Sequence, residues 1–72
     1  MNIDIRLRDF LDFVGFEVEC DVYELFAMRE NLLCSGFPDD IIEHIDLTQR
    51  EYKLCYIPCI TDGRIHLSVV EV

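Results

Sequence analysis

Asp62-Gly63 stands between two runs rich in β-branched and aromatic residues, 51–61 and 64–72. A two-residue Asp-Gly loop suits a turn whose two central residues both take positive φ, so the dipeptide predicts a tight β-hairpin. Counting outward pairs Thr61 with Arg64, Ile60 with Ile65, Cys59 with His66, Pro58 with Leu67 and Tyr56 with Val69. Leu54, Tyr56, Pro58, Ile60, Ile65, Leu67 and Val69 then share one face, which is expected to pack on the core. Lys53, Cys55, Ile57, Cys59, His66 and Ser68 take the other face. Proline has no N–H to give a ladder, so Pro58 makes its strand an edge there. A third strand is expected beside 64–72.

Upstream, Phe16-Glu17-Val18-Glu19-Cys20 alternates apolar and acidic residues and supplies that third strand. Asp21, with Glu24 three residues on, reads as an N-cap and capping box. Val22, Leu25, Phe26, Leu32 and Leu33 follow at helical spacing, so a helix is expected from Asp21 towards a stop at Gly36. Pro38 opens a second, short helix with Ile41, Ile42 and Ile45 on its buried side, although 44–48 also fits a short strand. Near the N-terminus, Ile3, Leu7, Phe10, Leu11 and Val14 form a helical stripe ending before Gly15; Ile3, Ile5 and Leu7 also fit a strand, but the longer match favours the helix. The expected fold is α+β: a small antiparallel sheet of about three strands that includes the C-terminal hairpin, packed by two or three helices. Residues 1–72 are expected to form a single acidic domain.

Charge bounds the function. Fifteen acidic residues face six basic ones, a net charge of -9, in a chain that is 51% hydrophobic. Such a chain has the apolar and aromatic content to fold, unlike disordered acidic chains. Arg6, Arg8, Arg29, Arg50, Lys53 and Arg64 are scattered, so direct nucleic-acid binding and attachment to anionic membranes are disfavoured. No run approaches the length of a membrane span, and no signal peptide is visible, so a cytoplasmic location is expected (host cytosol if the chain is viral).

A basic protein surface is the favoured partner. Glu17, Glu19 and Asp21 are expected to share a strand face at about 6.7 Å spacing, with Glu24 close behind. Asp39, Asp40, Glu43 and Asp46 form a second acidic group. Rows of carboxylates can stand in for phosphates in the Arg- and Lys-lined groove of a nucleic-acid-binding protein. They can equally keep a small apolar domain soluble. Tyr23 and Phe13 fall off the apolar stripes, as partner anchors or as core residues.

Enzymatic chemistry finds little support. Cys20, Cys34, Cys55 and Cys59 contain no C-x-x-C and no zinc-finger spacing, so no metal or cofactor is expected, although Cys55, Cys59 and His66 could approach one another on the hairpin. A reducing compartment leaves such thiols unpaired. The three glycines are isolated and form no phosphate loop.

In size and charge the chain is similar to the small acidic inhibitors that phages use against host defence, including anti-CRISPR proteins and DNA mimics. That similarity lies in composition over the whole chain, with no motif. It implies a protein-binding inhibitor with Glu17, Glu19, Asp21, Glu24, Asp39, Asp40, Glu43 and Asp46 as contact residues. Two alternatives are an antitoxin or immunity-like protein that blocks a toxin's active site, and a structural or adaptor subunit that forms a homodimer through the exposed edge of the C-terminal hairpin or a leftover apolar face.

Overall fold

The computed structural model describes residues 4–15 and 17–72. The chain runs α1 (Leu7–Val14), β1 (Glu19–Phe26), β2 (Arg29–Gly36), α2 (Pro38–Thr48), β3 (Tyr52–Leu54), β4 (Cys59–Thr61) and β5 (Arg64–Glu71). The class is α+β, but the sheet has five strands and is mixed, not three and antiparallel. Strand order is β2-β1-β5-β3, and β4 also pairs with β5. β1 lies beside β5, where a third strand was expected, but runs parallel to it, with Glu19 opposite Arg64 and Glu24 opposite Val69. Parallel neighbours need a crossover; here it passes through β2, α2, β3 and β4.

The largest correction falls on 21–36. No helix forms there: β1 and β2 make an antiparallel hairpin in which Phe26 faces Arg29. Cys20 and Val22 are fully buried two residues apart, the spacing of a strand face. Pairing on both sides, with β2 and β5, overrides the local helical pattern. Asp21 is therefore a mid-strand residue and caps nothing.

The turn explains why the pattern misled. Its central residues, Ala27 and Met28, have φ of 54° and 63°, the left-handed conformation that Asn and Gly adopt most easily. Non-glycine residues there cost on the order of 1 kcal/mol each. Replacing Ala27→Asn together with Met28→Gly is expected to stabilise the domain by about 1 kcal/mol, after allowing for the flexibility glycine adds to the unfolded chain. In a domain of this size that is a rise of roughly 4–8 °C in Tm by calorimetry; an unchanged Tm would show that the turn stores no strain.

The C-terminal hairpin forms around Asp62 and Gly63, both at positive φ, with Thr61–Arg64, Ile60–Ile65 and Cys59–His66 in the expected register. Beyond Cys59 the first strand breaks. Residues 55–58 leave the regular register, Cys55 keeping one backbone bond from its N–H to the Ser68 carbonyl (2.8 Å), and Leu54 instead of Tyr56 faces Val69. Four residues there oppose two on β5, and Pro58, which has no N–H to offer, sits in the interruption. The expected faces scramble accordingly. Cys55 is buried while Tyr56 and Ile60 are exposed, and Cys55 does not share an outward face with Cys59.

Leu7 and Leu11 of α1 and Ile41 and Ile45 of α2 pack with Cys20, Val22, Leu54, Ile65, Leu67 and Val69 as one cluster. Both helices thus cover a single sheet face. Ile3, at the start of the expected N-terminal stripe, lies outside the described residues, as does Phe16. α2 starts where expected, and 44–48 is helical. Phe37, at its N-cap, has no side-chain acceptor; Asp40 reaches back to accept a hydrogen bond from the Phe37 N–H (3.2 Å). Gly36, at φ 149°, leaves room for this, since a Cβ there would stand 3.1 Å from Asp40.

Candidate functional site: carboxylates of the helical layer

The eight carboxylates singled out in the sequence do not form one surface. Glu19 and Asp21 project from alternate positions of β1 on the sheet face that no helix covers. There they meet Arg64 of β5: Arg64 Nε and Nη2 donate to both Asp21 oxygens (3.0 and 2.7 Å), and Nη1 donates to Glu19 (2.6 Å). This forked arrangement is the strong form of an Arg–carboxylate pair. The hydrogen bonds from Arg64 hold the Asp21 carboxyl at about 2, helped by Ser35, and they push the guanidinium further up. Asp21 thus remains ionised and paired across the physiological range.

The same face continues as a compensated network. His66 stacks on Tyr23 with ring centroids 4.4 Å apart, and its Nε2 lies 3.4 Å from Glu30. Ser68, buried beside them, donates to Glu30, and this bond, more than the nearby His66, holds the Glu30 carboxyl below its ordinary range. Tyr23 is therefore neither a bare anchor nor a core residue. A depression of about 490 Å³ here is lined by Asp21, Cys59, Thr61, Asp62, Arg64 and His66, and its one arginine is already taken by Asp21 and Glu19.

Glu17 is exposed and precedes β1, so it does not join the strand row. Glu24 falls on the opposite sheet face, in a hollow it shares with Arg50 and Glu71. Its charge lies near the Arg50 guanidinium.

The α2 group behaves differently. The end of α1 and the start of α2 meet, with Leu11 and Gly15 against Pro38 and Ile42, while Arg8 of α1 reaches Asp46 (2.7 Å) and Glu51 (3.3 Å). The helices are thus antiparallel neighbours. Ile41 and Ile45 face the sheet, which turns Asp39, Asp40, Glu43 and Asp46 to solvent. Asp39 and Glu43 are four residues apart on one side of the helix, where like charges repel. α1 adds Asp9 and Asp12, both exposed. Together the two helices hold six carboxylates and one arginine, more than half of the net charge of -9. Asp40 is engaged by the Phe37 N–H and Asp46 by Arg8. Asp9, Asp12, Asp39 and Glu43 have no salt-bridge partner among the described residues.

Between the helices lies a groove of about 250 Å³ whose floor is Leu11, Gly15, Pro38 and Ile42 and whose walls carry Asp12 and Asp39. An apolar floor between two carboxylates suits the aliphatic stem and charged end of a lysine or arginine. Asp9 and Asp12 are not among the eight residues the sequence singles out. The signal available was their position on the polar side of the Leu7–Leu11–Val14 stripe, which leaves both facing solvent. Phe13, beside Asp12 in the chain, is 87% exposed.

The cysteines are all free; Cys20 and Cys55 are buried and Cys59 is exposed. Burial pushes the Cys20, Cys34 and Cys55 thiols up, away from the reactive thiolate. No described helix is long and apolar enough to cross a membrane. Comparison with known proteins finds no matching family model, no matching curated protein and no matching solved structure.

Proposed function

We propose that this protein is a non-enzymatic, protein-binding inhibitor that presents the carboxylates of its helical layer to a basic surface, the nucleic-acid-binding groove of a larger protein. The reading narrows the contact residues to Asp9, Asp12, Asp39 and Glu43, with Asp40 and Asp46 beside them. Glu19 and Asp21 serve the sheet instead. One observation carries it: Glu19 and Asp21 on the sheet face have Arg64 built against them, while Asp9, Asp12, Asp39 and Glu43 on the helices are left to solvent, Asp12 and Asp39 beside an apolar groove of lysine or arginine dimensions. Unpaired like charges at helical spacing disfavour the isolated domain, and a cationic partner relieves that repulsion. Four free thiols suit a reducing cytoplasm. A phage inhibitor of the anti-CRISPR or DNA-mimic type fits this description.

The test is capture of nucleic-acid-binding proteins from host lysate on the immobilised chain, then titration with salt and duplex DNA. Expected are a partner that DNA displaces and an affinity that falls steeply between low and high salt. A bound partner indifferent to both would defeat the electrostatic reading.

A further inference from the structure

The sheet has two edges, and they are treated differently. On the β3 side the chain covers its own edge: Arg6 bridges Lys53, and the Leu54 N–H donates to the Ile5 carbonyl. Pro58 and its unpaired neighbours interrupt the rest. On the other side β2 ends the strand order, and none of the described residues pairs with its outer side. Along Arg29–Gly36 alternate residues leave their backbone donors and acceptors facing out, with a bulge at Leu33, which has no partner on β1.

Charge says what can approach. Residues 25–38 contain one base, Arg29, and one acid, Glu30, so this stretch of a chain with net charge -9 is neutral. Glu30 is moreover drawn inward to Ser68 and His66. The same stretch exposes large apolar side chains: Phe26 by 70%, Met28 by 98%, Leu32 by 57% and Phe37 by 44%. Two strongly acidic bodies repel everywhere except where such neutral surfaces meet.

We infer that β2 is a homodimer edge, pairing antiparallel with β2 of a second copy about a two-fold axis near Leu32 and Leu33. Antiparallel pairing is self-complementary. It lays the Phe26–Met28 tip of one copy beside the Gly36–Phe37 end of the other. It also brings Arg29 towards the start of the partner copy's α2, where Asp39 and Asp40 stand, so the one base on the edge meets an acidic helix start. An interface of ordinary size takes about 800 Å² from each copy, roughly a sixth of the 4999 Å² surface. The two sheets become one continuous sheet, and the second copy protects the edge. The dimer shares Asp39 with the surface proposed for a basic partner, but its test is made on the chain alone, so the two readings fail separately.

Sedimentation equilibrium over a range of concentrations, at low and high salt, tests it. The expected result is a reversible dimer that tightens as salt screens the repulsion between copies, the opposite salt response to capture of a basic partner. Leu32→Glu, at an exposed position, is expected to weaken the dimer at least tenfold while leaving the circular dichroism spectrum unchanged; Leu32→Val is expected to retain it. Hydrogen exchange on the unaltered chain gives a second readout, with β2 amides more protected at high than at low concentration. A monomer at every concentration overturns the inference. So does a dimer whose β2 amides show no added protection, because another face would then be in use.

Discussion

Leu67→Ala is expected to remove a large part of the stability of this domain. Leu67 is fully buried at the middle of β5, the strand that pairs with β1 on one side and with β3 and β4 on the other. Truncating a leucine in such a position costs about 2–5 kcal/mol, the upper end applying where neighbours cannot collapse into the space. Here the β1 ladder holds Val22 opposite Leu67, while on its other side Leu67 faces the 55–58 interruption between β3 and β4. A chain of this length has a total stability of roughly 4–11 kcal/mol, so the variant sits close to its unfolding threshold. Urea unfolding followed by circular dichroism should show the midpoint falling by about a third or more with little change in slope. Leu47→Ala is the matched control: at 77% exposure it should change stability by less than about 0.5 kcal/mol. Equal effects at the two positions would mean that β5 is not the centre of the core.

The same strand shows how far the sequence could be read. Asp62-Gly63 announces its hairpin because the residue types match the backbone they must adopt. The Leu7, Leu11 and Val14 stripe and the Pro38 start announce α1 and α2 for the same reason. The β1–β2 hairpin is hidden, since Ala27-Met28 is a poor choice for its turn and the flanking Val22, Leu25, Phe26, Leu32 and Leu33 fit a helix equally well. Only pairing with β5, distant in sequence, decides between the two. The parallel arrangement of β1 and β5 is likewise a property of the assembled sheet, with no local residue to signal it.

Legibility of the acidic site divides along the same line. The α2 carboxylates could be found because helical spacing and a good start signal fix which way they point. Glu19 and Asp21 looked equivalent to them. Their difference is Arg64, more than forty positions away in the chain, and only the parallel register brings it across. Asp9 and Asp12 belonged with the α2 group but needed the antiparallel packing of the two helices to be seen beside it. Composition thus signalled a charged surface correctly but could not say which carboxylates were already spoken for.

That division makes location, as opposed to total charge, the quantity to vary. Asp12→Asn, Asp39→Asn and Glu43→Gln together remove three charges from the helical layer; Glu17→Gln, Glu19→Gln and Asp21→Asn remove three from the strand side. The first set should leave folding nearly unchanged. Relief of the Asp39–Glu43 repulsion, a few tenths of a kcal/mol, is offset by loss of the favourable Asp39 charge at the start of α2, of similar size. Affinity for a basic partner should fall by about tenfold to a hundredfold, since exposed charge pairs contribute up to about 1 kcal/mol each. The salt dependence of binding should flatten with it. The second set strips Arg64 of its carboxylates and should lower Tm, yet leave affinity within a few-fold of the original. Thermal melts and binding isotherms on both sets read these outcomes separately. If the two sets weaken binding alike, only net charge matters and the helical layer is not the contact surface; if only the strand-side set weakens it, the partner uses the outer sheet face around Arg64.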